Sequence, residues 1–398
     1  MRPHLSRALL WTMTVASAVA VANIYYNQPM LADMMRALSV TPKEIGLVAT
    51  FTQVGYALGM PLFIPLGDFV NRRRLVVLLF FAVACALVLA AEARTLLALV
   101  AASFLIGLTT VIAQILIPLA SELAPPEEQG KTIGTILSGI LLGILLARTL
   151  SGVVAEHLGW RTMFGVAAGL ALVFGVLLQL QLPSLKPHSQ TTYPALIRSI
   201  WDLARQTSKL RQVSFVAAMF FAAFTAFWTT LVFLLETPPY HYGSQAAGLF
   251  GLVGATGVFI APIAGRVSDR RSPRFVVANA IIAVVAAFAV FWIFGFHLWG
   301  LVIGVVLLDG GVQAAQVANQ SRVLSLHPQA RNRVNTIYMI SYFTGGSVGS
   351  LLGTWAWGRW GWHGVCGLGV LSMLIAAGVF LARGEEAVGN GNRANEPA

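Results

Sequence analysis

The chain has 398 residues, of which 57% are hydrophobic and only 10% charged, and its mean hydropathy is +0.76. A soluble domain carries about a quarter of its residues as charges, so this composition excludes a soluble enzyme, a disordered protein and a secreted disulfide scaffold. The formal charge of +11 raises nucleic acid as a partner, and the position of those charges along the chain decides against it.

A helix that crosses a bilayer needs roughly 20 apolar residues. In chain order such runs fall at 8–30, 44–66, 74–92, 95–119, 130–156, 161–182, 212–235, 244–265, 274–294, 297–320, 334–357 and 362–382, which makes twelve spans. Arg2 and Arg7 ahead of the first run resemble the start of a signal peptide. A retained first span is the expected reading, because twelve spans then pair evenly. Cys85 and Cys366 each lie inside an apolar run, so neither a disulfide framework nor a metal site is expected.

One long gap, Pro183 to Arg211, divides the spans into six and six. Within it Leu196, Ile200 and Leu203 recur at helical spacing among Arg198, Asp202 and Arg205, the pattern of a short amphipathic helix at the membrane surface. The expected organisation is a six-helix bundle over 1–182, a cytoplasmic linker with that helix over 183–211, a second six-helix bundle over 212–383, and a disordered cytoplasmic tail over 384–398. Basic residues are retained on the cytoplasmic side. With both termini placed there, only Arg36, Lys43, Arg94, Arg161 and Arg359 of the 26 Lys and Arg fall outside, and Arg148 falls within a span. The expected location is therefore the inner (plasma) membrane, with the lipid bilayer as a partner and no nucleic acid.

The halves echo each other. Gly67-Asp68 with Arg72, Arg73 and Arg74 follows span 2, and Ser268-Asp269 with Arg270, Arg271 and Arg274 follows span 8. Gly159-Trp160 between spans 5 and 6 recurs as Gly361-Trp362 between spans 11 and 12, at nearly the same offset. A duplicated six-helix unit follows, and parallel repeats of this kind place a substrate site between the halves.

Polarity has a matching rhythm. Spans 3, 6, 9 and 12 are almost free of polar side chains. Spans 1, 4, 7 and 10 carry Asn23, Tyr26 and Asn27; Thr109, Thr110 and Gln114; Thr225, Thr229 and Thr230; and Asp309, Gln313, Gln316 and Gln320. Polar groups in hydrocarbon are costly and face a bundle interior or water, so the first helix of each triplet is expected to line a cavity.

On these residues the chain resembles the major facilitator superfamily over essentially its whole length. Pro65-Leu66-Gly67-Asp68-Phe69-Val70-Asn71-Arg72-Arg73-Arg74 is similar to that superfamily's loop 2–3 motif, and Gly265-Arg266-Val267-Ser268-Asp269-Arg270-Arg271 to its loop 8–9 twin; Ile64 and Asn71 replace glycines usual there. The resemblance implies an all-α integral membrane fold of twelve transmembrane helices in two six-helix pseudo-repeats. It also implies a cytoplasmic gate at Asp68, Arg72, Asp269 and Arg270, in which Asp68 closes onto Arg72 and onto the start of a helix in the opposite half. A carboxylate gains from the dipole there. Asn23 to Pro29 and Asp309 to Gln316 resemble a bacterial sugar- or drug-efflux-like subgroup. Proton-coupled drug antiporters usually carry an arginine in span 4, where Ser103 stands, and a Gly-Pro signature in span 5, where Ala147-Arg148-Thr149-Leu150-Ser151-Gly152 stands. Both departures argue against ordinary multidrug antiport.

Arg148 and Asp309 alone place charge well inside spans, and neither has a counterpart in the other half. Such a charge costs about 2.5–3.5 kcal/mol at a helix centre on insertion scales and needs compensation. Three roles fit Arg148: binding an anionic or hydroxylated substrate, pairing with Asp309, or snorkelling outward. Asp309 continues through Gln313, Gln316 and Gln320 on one helix face. It fits either a proton-coupling carboxyl or a hydrogen-bonded link between helices. Asn23, Tyr26 and Asn27 share a face of span 1 and, next to Pro29, fit either a bent outer half-helix that contacts substrate or interhelical hydrogen bonding. Phe224 and Trp228, four apart, fit an aromatic wall or plain packing.

No catalytic constellation and no Walker loop is present, and the seven histidines lie in tails or loops without ligand spacing. No enzyme activity, cofactor or metal is expected. The expected function is secondary active transport by alternating access: proton-coupled export of a small polar metabolite or xenobiotic, with protons as coupling ion. The alternatives are uptake or exchange of a small organic anion with Arg148 as counter-ion, and a non-transporting membrane sensor. The residues expected to meet substrate are Asn23, Tyr26, Asn27, Gln114, Arg148, Thr229, Gln313 and Gln316, with Asp309 carrying the proton. A monomer is expected.

Overall fold

A computed structural model of the chain describes residues 5–184 and 192–382. Arg2, Lys186 and the tail at 384–398 lie outside the described residues. Among these residues every regular element is helical: α1 Arg7–Ala22, α2 Asn27–Leu38, α3 Pro42–Leu66, α4 Arg72–Ala91, α5 Leu96–Thr109, α6 Ile112–Leu123, α7 Gln129–Leu158, α8 Trp160–Gln181, α9 Tyr193–Gln206, α10 Ser208–Glu236, α11 Ser244–Gly254, α12 Thr256–Arg270, α13 Pro273–Phe294, α14 Leu298–Leu326 and α15 Arg331–Ala382, with short 3₁₀ turns at Pro126–Glu128 and Pro328–Ala330.

Local chemistry sets the helix starts. Thr41 Oγ1 accepts from the Glu44 N–H at 3.3 Å while the Glu44 carboxylate accepts from the Thr41 N–H at 2.8 Å, and Pro42 needs no donor at the first position of α3. Asn71 caps α4 through the N–H groups of Arg73 and Arg74, and Ser272 caps α13 through that of Phe275. The recurring Gly-Trp pair has a backbone reason. Gly159 and Gly361 sit at φ 84° and 60°, which a side chain would strain, and Trp160 and Trp362 bury themselves immediately after the turn.

The 52 residues of α15 would extend about 78 Å at 1.5 Å per residue, far more than one bilayer crossing. Gly361 divides it into two spans, which completes the twelve. Three other spans are each built from two helices. The first is α1 and α2, broken over residues 23–26; the fourth is α5 and α6, broken at 110–111; the eighth is α11 and α12, broken at Ala255. Asn23, Tyr26 and Asn27 therefore do not share one continuous helix face, because the turn between α1 and α2 re-aims them.

The first two breaks are stitched together. The Asn23 side-chain amide donates to Thr110 Oγ1 at 3.1 Å, and the Thr110 hydroxyl donates to the Ala20 carbonyl at 2.7 Å. The Ala20 carbonyl and the Asn23 amide at the first break thus find a partner in Thr110 at the second, the kind of contact by which irregular backbone persists inside a membrane protein.

Within the first six spans α1 packs on α7, α3 on α5 and α4 on α8; within the second six α10 packs on α15, α13 on α14 and α12 on α14. Across the halves α3 packs on α15 and α7 on α11, and the duplication exchanges one pairing for the other. Both seams run from one end of the molecule to its middle. In the first, Thr354 abuts Gly46, Thr50 bonds Ser350 at 3.3 Å, and the Tyr56 and Phe343 rings lie 4.4 Å apart. In the second, Gly152 rests against the backbone of Ser244 and Gly248, and Thr149 Oγ1 donates to the Gly248 carbonyl at 3.2 Å.

A polar cluster closes that end, called here the latched end. Arg36 bonds Asp33 on its own helix and Glu236 at the end of α10; Ser244 donates to Asp33; and Glu156 accepts from the Gln245 N–H at 3.4 Å. Glu156 thereby caps the start of α11 from the opposite half, and Asp33 holds the hydroxyl of its first residue. At the other end Asp68 bonds Arg72 at 2.9 Å and Arg72 bonds Glu122 at 2.7 Å, all within the first half. Asp269 and Arg270 are exposed there, with no hydrogen bond or ion pair among the described residues. The closure of Asp68 onto the opposite half, implied by the resemblance, is absent from this conformation because the seams do not reach that end. The linker helix α9 straddles it: the Tyr193 hydroxyl donates to the Leu62 carbonyl at 2.9 Å, and Thr207 hydrogen-bonds with His327 at 3.1 Å.

Candidate functional site

The seams stop at the middle of the molecule, and the two intramembrane charges lie there. Arg148, on α7, is 3% exposed, which corrects the snorkelling role: its side chain points into the protein. Its Nε donates to Gln28 Oε1 at 2.9 Å, Gln28 being the second residue of α2. Its guanidinium carbon lies 4.0 Å from the centre of the Trp228 ring, 4.9 Å from that of Tyr25 and 5.4 Å from that of Phe224. Desolvated contacts of this kind contribute about 2 kcal/mol or more each, so the cation is compensated largely by aromatic faces. Its Nη2 is buried and has no hydrogen-bond partner.

Asp309, on α14, is 5% exposed. Trp228 Nε1 donates to its Oδ1 at 3.1 Å. Its Oδ2 lies against Gly254, the last residue of α11, where an added Cβ would come within 2.5 Å of it. That glycine makes room for the carboxylate at the break in the eighth span. Among the described residues no ion pair joins Arg148 to Asp309. One indole connects them, its face under the guanidinium and its N–H on the carboxylate.

The other expected site residues divide into two sets. Asn27 donates to Thr52 Oγ1 at 3.0 Å, and the Thr52 hydroxyl is itself spent on the Val48 carbonyl at 2.8 Å. Asn23 stands in the same relation to Thr110, so the carbonyl oxygens of both asparagines are left buried and without donors, as is that of Gln53. Tyr26 is buried beside them. Gln114 is half-buried and donates to the Tyr56 hydroxyl at 3.4 Å. Thr229 is fully buried on Ser350, 3.3 Å away across α10 and α15.

On the second half Gln313, Gln316 and Gln320 are half-buried along α14 below Asp309. The Tyr342 hydroxyl donates to Gln316 Oε1 at 3.1 Å, and Gln320 donates to Asn335 at 3.0 Å. Half-buried amides descending from a buried carboxylate form a polar wall facing the end where the halves do not meet.

Sequence reasoning missed Gln28 and Tyr25 as partners of Arg148, and the whole latched-end cluster. Gln28 adjoins Asn27, and only the turn between α1 and α2 aims it at α7. The cluster draws one or two residues from the ends of each of four segments, so no spacing along the chain reveals it. Its one signal is the recurrence of acids at Asp33, Glu156 and Glu236, beside spans that otherwise carry few charges on that side.

Comparison with known proteins places this arrangement. Residues 13–329 match the family model described as Major Facilitator Superfamily. The chain is 38% identical over 372 residues to the "Uncharacterized transporter YgaY" of Escherichia coli O157:H7, covering 94% of each chain. It is 25% identical over 329 residues to a "Probable sugar efflux transporter" of Helicobacter pylori (strain G27), covering 82% of each. The crystal structure of a bacterial homolog to the human lysosomal transporter Spinster, in an inward-facing and occupied conformation, superimposes with a TM-score of 0.76 at 15% identity. That match covers 94% of this chain and 96% of the other.

Proposed function

The chain belongs to the Major Facilitator Superfamily and is a multi-pass membrane transporter, and from that premise we propose that it exports a small polar metabolite or xenobiotic in exchange for protons. One observation carries the reading. Asp309 is a buried carboxylate at the midpoint of the molecule, held by an uncharged donor, with the balancing cation on the opposite half. A carboxyl so placed exists in either protonation state without breaking a direct ion pair, and its charge acts on a contact between the halves. The sugar-efflux name of the Helicobacter pylori relative and the amide wall of α14 support export of a polar, hydrogen-bonding cargo.

Orientation follows from charge. Basic residues concentrate at the end carrying Arg72 to Arg74 and Arg270 to Arg274, so that end is cytoplasmic and the latched end faces outward. The described conformation is then the inward-facing one, in the inner membrane with both termini cytoplasmic. Asn23, Tyr26, Asn27, Gln114, Gln313 and Gln316 take part in substrate recognition, and Asp68, Arg72, Asp269 and Arg270 close the cytoplasmic gate in the opposite conformation.

A second reading is favoured by the buried, unpartnered Nη2 of Arg148: exchange or uptake of a small organic anion that completes the guanidinium's bonding. Flux into proteoliposomes across a panel of sugars, amino acids, organic acids and cationic drugs, under opposite pH gradients, separates the two. Export coupling requires Asp309→Asn to lose proton-driven accumulation while still inserting in the membrane. Full uphill transport by that variant removes Asp309 from the mechanism. The anion reading requires Arg148→Gln to lose anion affinity, and unchanged affinity ends it.

A further inference from the structure

The geometry points to Trp228 as the positioning residue that carries the protonation state of Asp309 across to the other half of the molecule. The inference rests on the reading of Asp309 as the coupling carboxyl and adds the element through which that carboxyl acts.

The ring occupies the one place where the two intramembrane charges approach each other. Trp228 and Asp309 belong to the second half, on α10 and α14; Arg148 belongs to the first, on α7. The indole N–H donates to Asp309 at 3.1 Å, and the ring face lies 4.0 Å from the guanidinium carbon. Both contacts depend on the charge of the carboxylate. A hydrogen bond to an ionised acceptor is about twice as strong as one to a neutral acceptor. A donor polarised in this way returns electron density to its ring, and the face of that ring then attracts a cation more strongly. Ionised Asp309 therefore fixes the tilt of the indole and strengthens its hold on Arg148. Its conjugate acid does neither.

Aromatic packing keeps the indole from answering to other forces. Phe227 meets it edge-on at 5.4 Å and Phe224 lies 6.1 Å away, so the ring has one seat and one polar partner. The groups around Asp309 are few. Arg148 faces it from α7, Tyr25 from the turn after α1, and Tyr342 from α15, while Gly254 and Gly257 on α11 and α12 bring no charge to it. The proton passes between water and the carboxylate and back; the only bond it weakens is the one from the indole.

Protonation of Asp309 thus loosens the Trp228–Arg148 contact, which lies at the inner limit of the α7–α11 seam. The conformation closed at the latched end is the one that this contact stabilises, so it is favoured when Asp309 is ionised and loses population as pH falls.

The test uses the full-length protein in lipid nanodiscs, in a background lacking Cys85 and Cys366. Spin labels go at the exposed positions 43 and 359, one on each half just beyond the Gly46–Thr354 contact at the latched end of the α3–α15 seam. Distance distributions are recorded over a pH series. Acidification is expected to lengthen the distances in the otherwise unaltered protein, Asp309→Asn is expected to show one distribution at every pH, and Trp228→Phe is expected to lose most of an about tenfold pH-driven change in population. Trp228→3-benzothienylalanine preserves ring size and replaces only the N–H by sulfur, so it must behave as Trp228→Phe even where the smaller ring disturbs packing. If the unaltered protein ignores pH, or Asp309→Asn follows pH as it does, coupling at Asp309 fails and this inference with it. If Asp309→Asn is unresponsive while both ring variants titrate like the unaltered protein, direct attraction between Arg148 and Asp309 suffices and the role of Trp228 alone is overturned.

Discussion

The two ends of the molecule carry the same device in different states. At the latched end Asp33 and Glu156 reach over to bond the first two residues of α11, and Arg36 ties α2 to Glu236. At the other end the equivalent acids are idle across the halves: Asp68 is spent on Arg72 of its own half, and Asp269 stands exposed. A carboxylate at a helix start contributes only about 0.3–1 kcal/mol at an exposed site, so a few such contacts decide between conformations of similar energy without trapping either. Two stiff halves in contact along seams that end at the middle can satisfy one set of caps at a time. In the proposed cycle the idle set is the one that the outward-facing conformation engages.

Four substitutions break or sharpen this contrast, each read by the label pair at positions 43 and 359. The largest effect is expected from Gly248→Leu. A Cβ at 248 would come within 2.6 Å of the Arg148 carbonyl, backbone that cannot move aside, so the latched end should open almost completely. Arg36→Glu removes the tie to Glu236 and sets like charges together. A loss of about 1.5–3 kcal/mol shifts the population by an order of magnitude or more toward the long distance. Glu156→Gln removes one trans cap and is expected to cost about 0.5–1 kcal/mol, a few-fold shift. Asp269→Asn touches nothing engaged in this conformation but weakens the gate of the opposite one, so it should slow transport and shift the latched-end distances slightly toward the short population. Distances that ignore this variant would show that the two ends are not exclusive.

Most of the architecture is legible in the sequence because a bilayer leaves few solutions. Each apolar run must be a helix of known length, charge bias orients it, and Asp68 with Asp269 and Trp160 with Trp362 mark the duplication. Of the breaks only the first is legible, as a bend at the polar stretch beside Pro29. Hydropathy stays high through Thr110–Val111 and Ala255, and the prolines at 118 and 262 stand several residues beyond those breaks. What opens those helices is pairing with another segment, Asn23 with Thr110 above all, and such pairing has no signature along the chain. The central site is half legible for the same reason. Arg148 and Asp309 announce themselves as charges within apolar runs. Their meeting through Trp228 depends on where α10 lies between α7 and α14, and a Phe and a Trp four residues apart read equally well as packing.

The aromatic seat of Arg148 has a consequence for ionic strength. Screening acts over about 8 Å at physiological salt on charges that solvent reaches, and Arg36 is such a charge, with 55% of its side chain exposed. The guanidinium of Arg148 is buried against three rings, so bulk salt screens it far less. Salt is therefore a one-ended reagent for this protein: raising it loosens the ties at the latched end and leaves the central contact near full strength. A titration in salt at fixed pH and one in pH at fixed salt address two separate joints of the same machine.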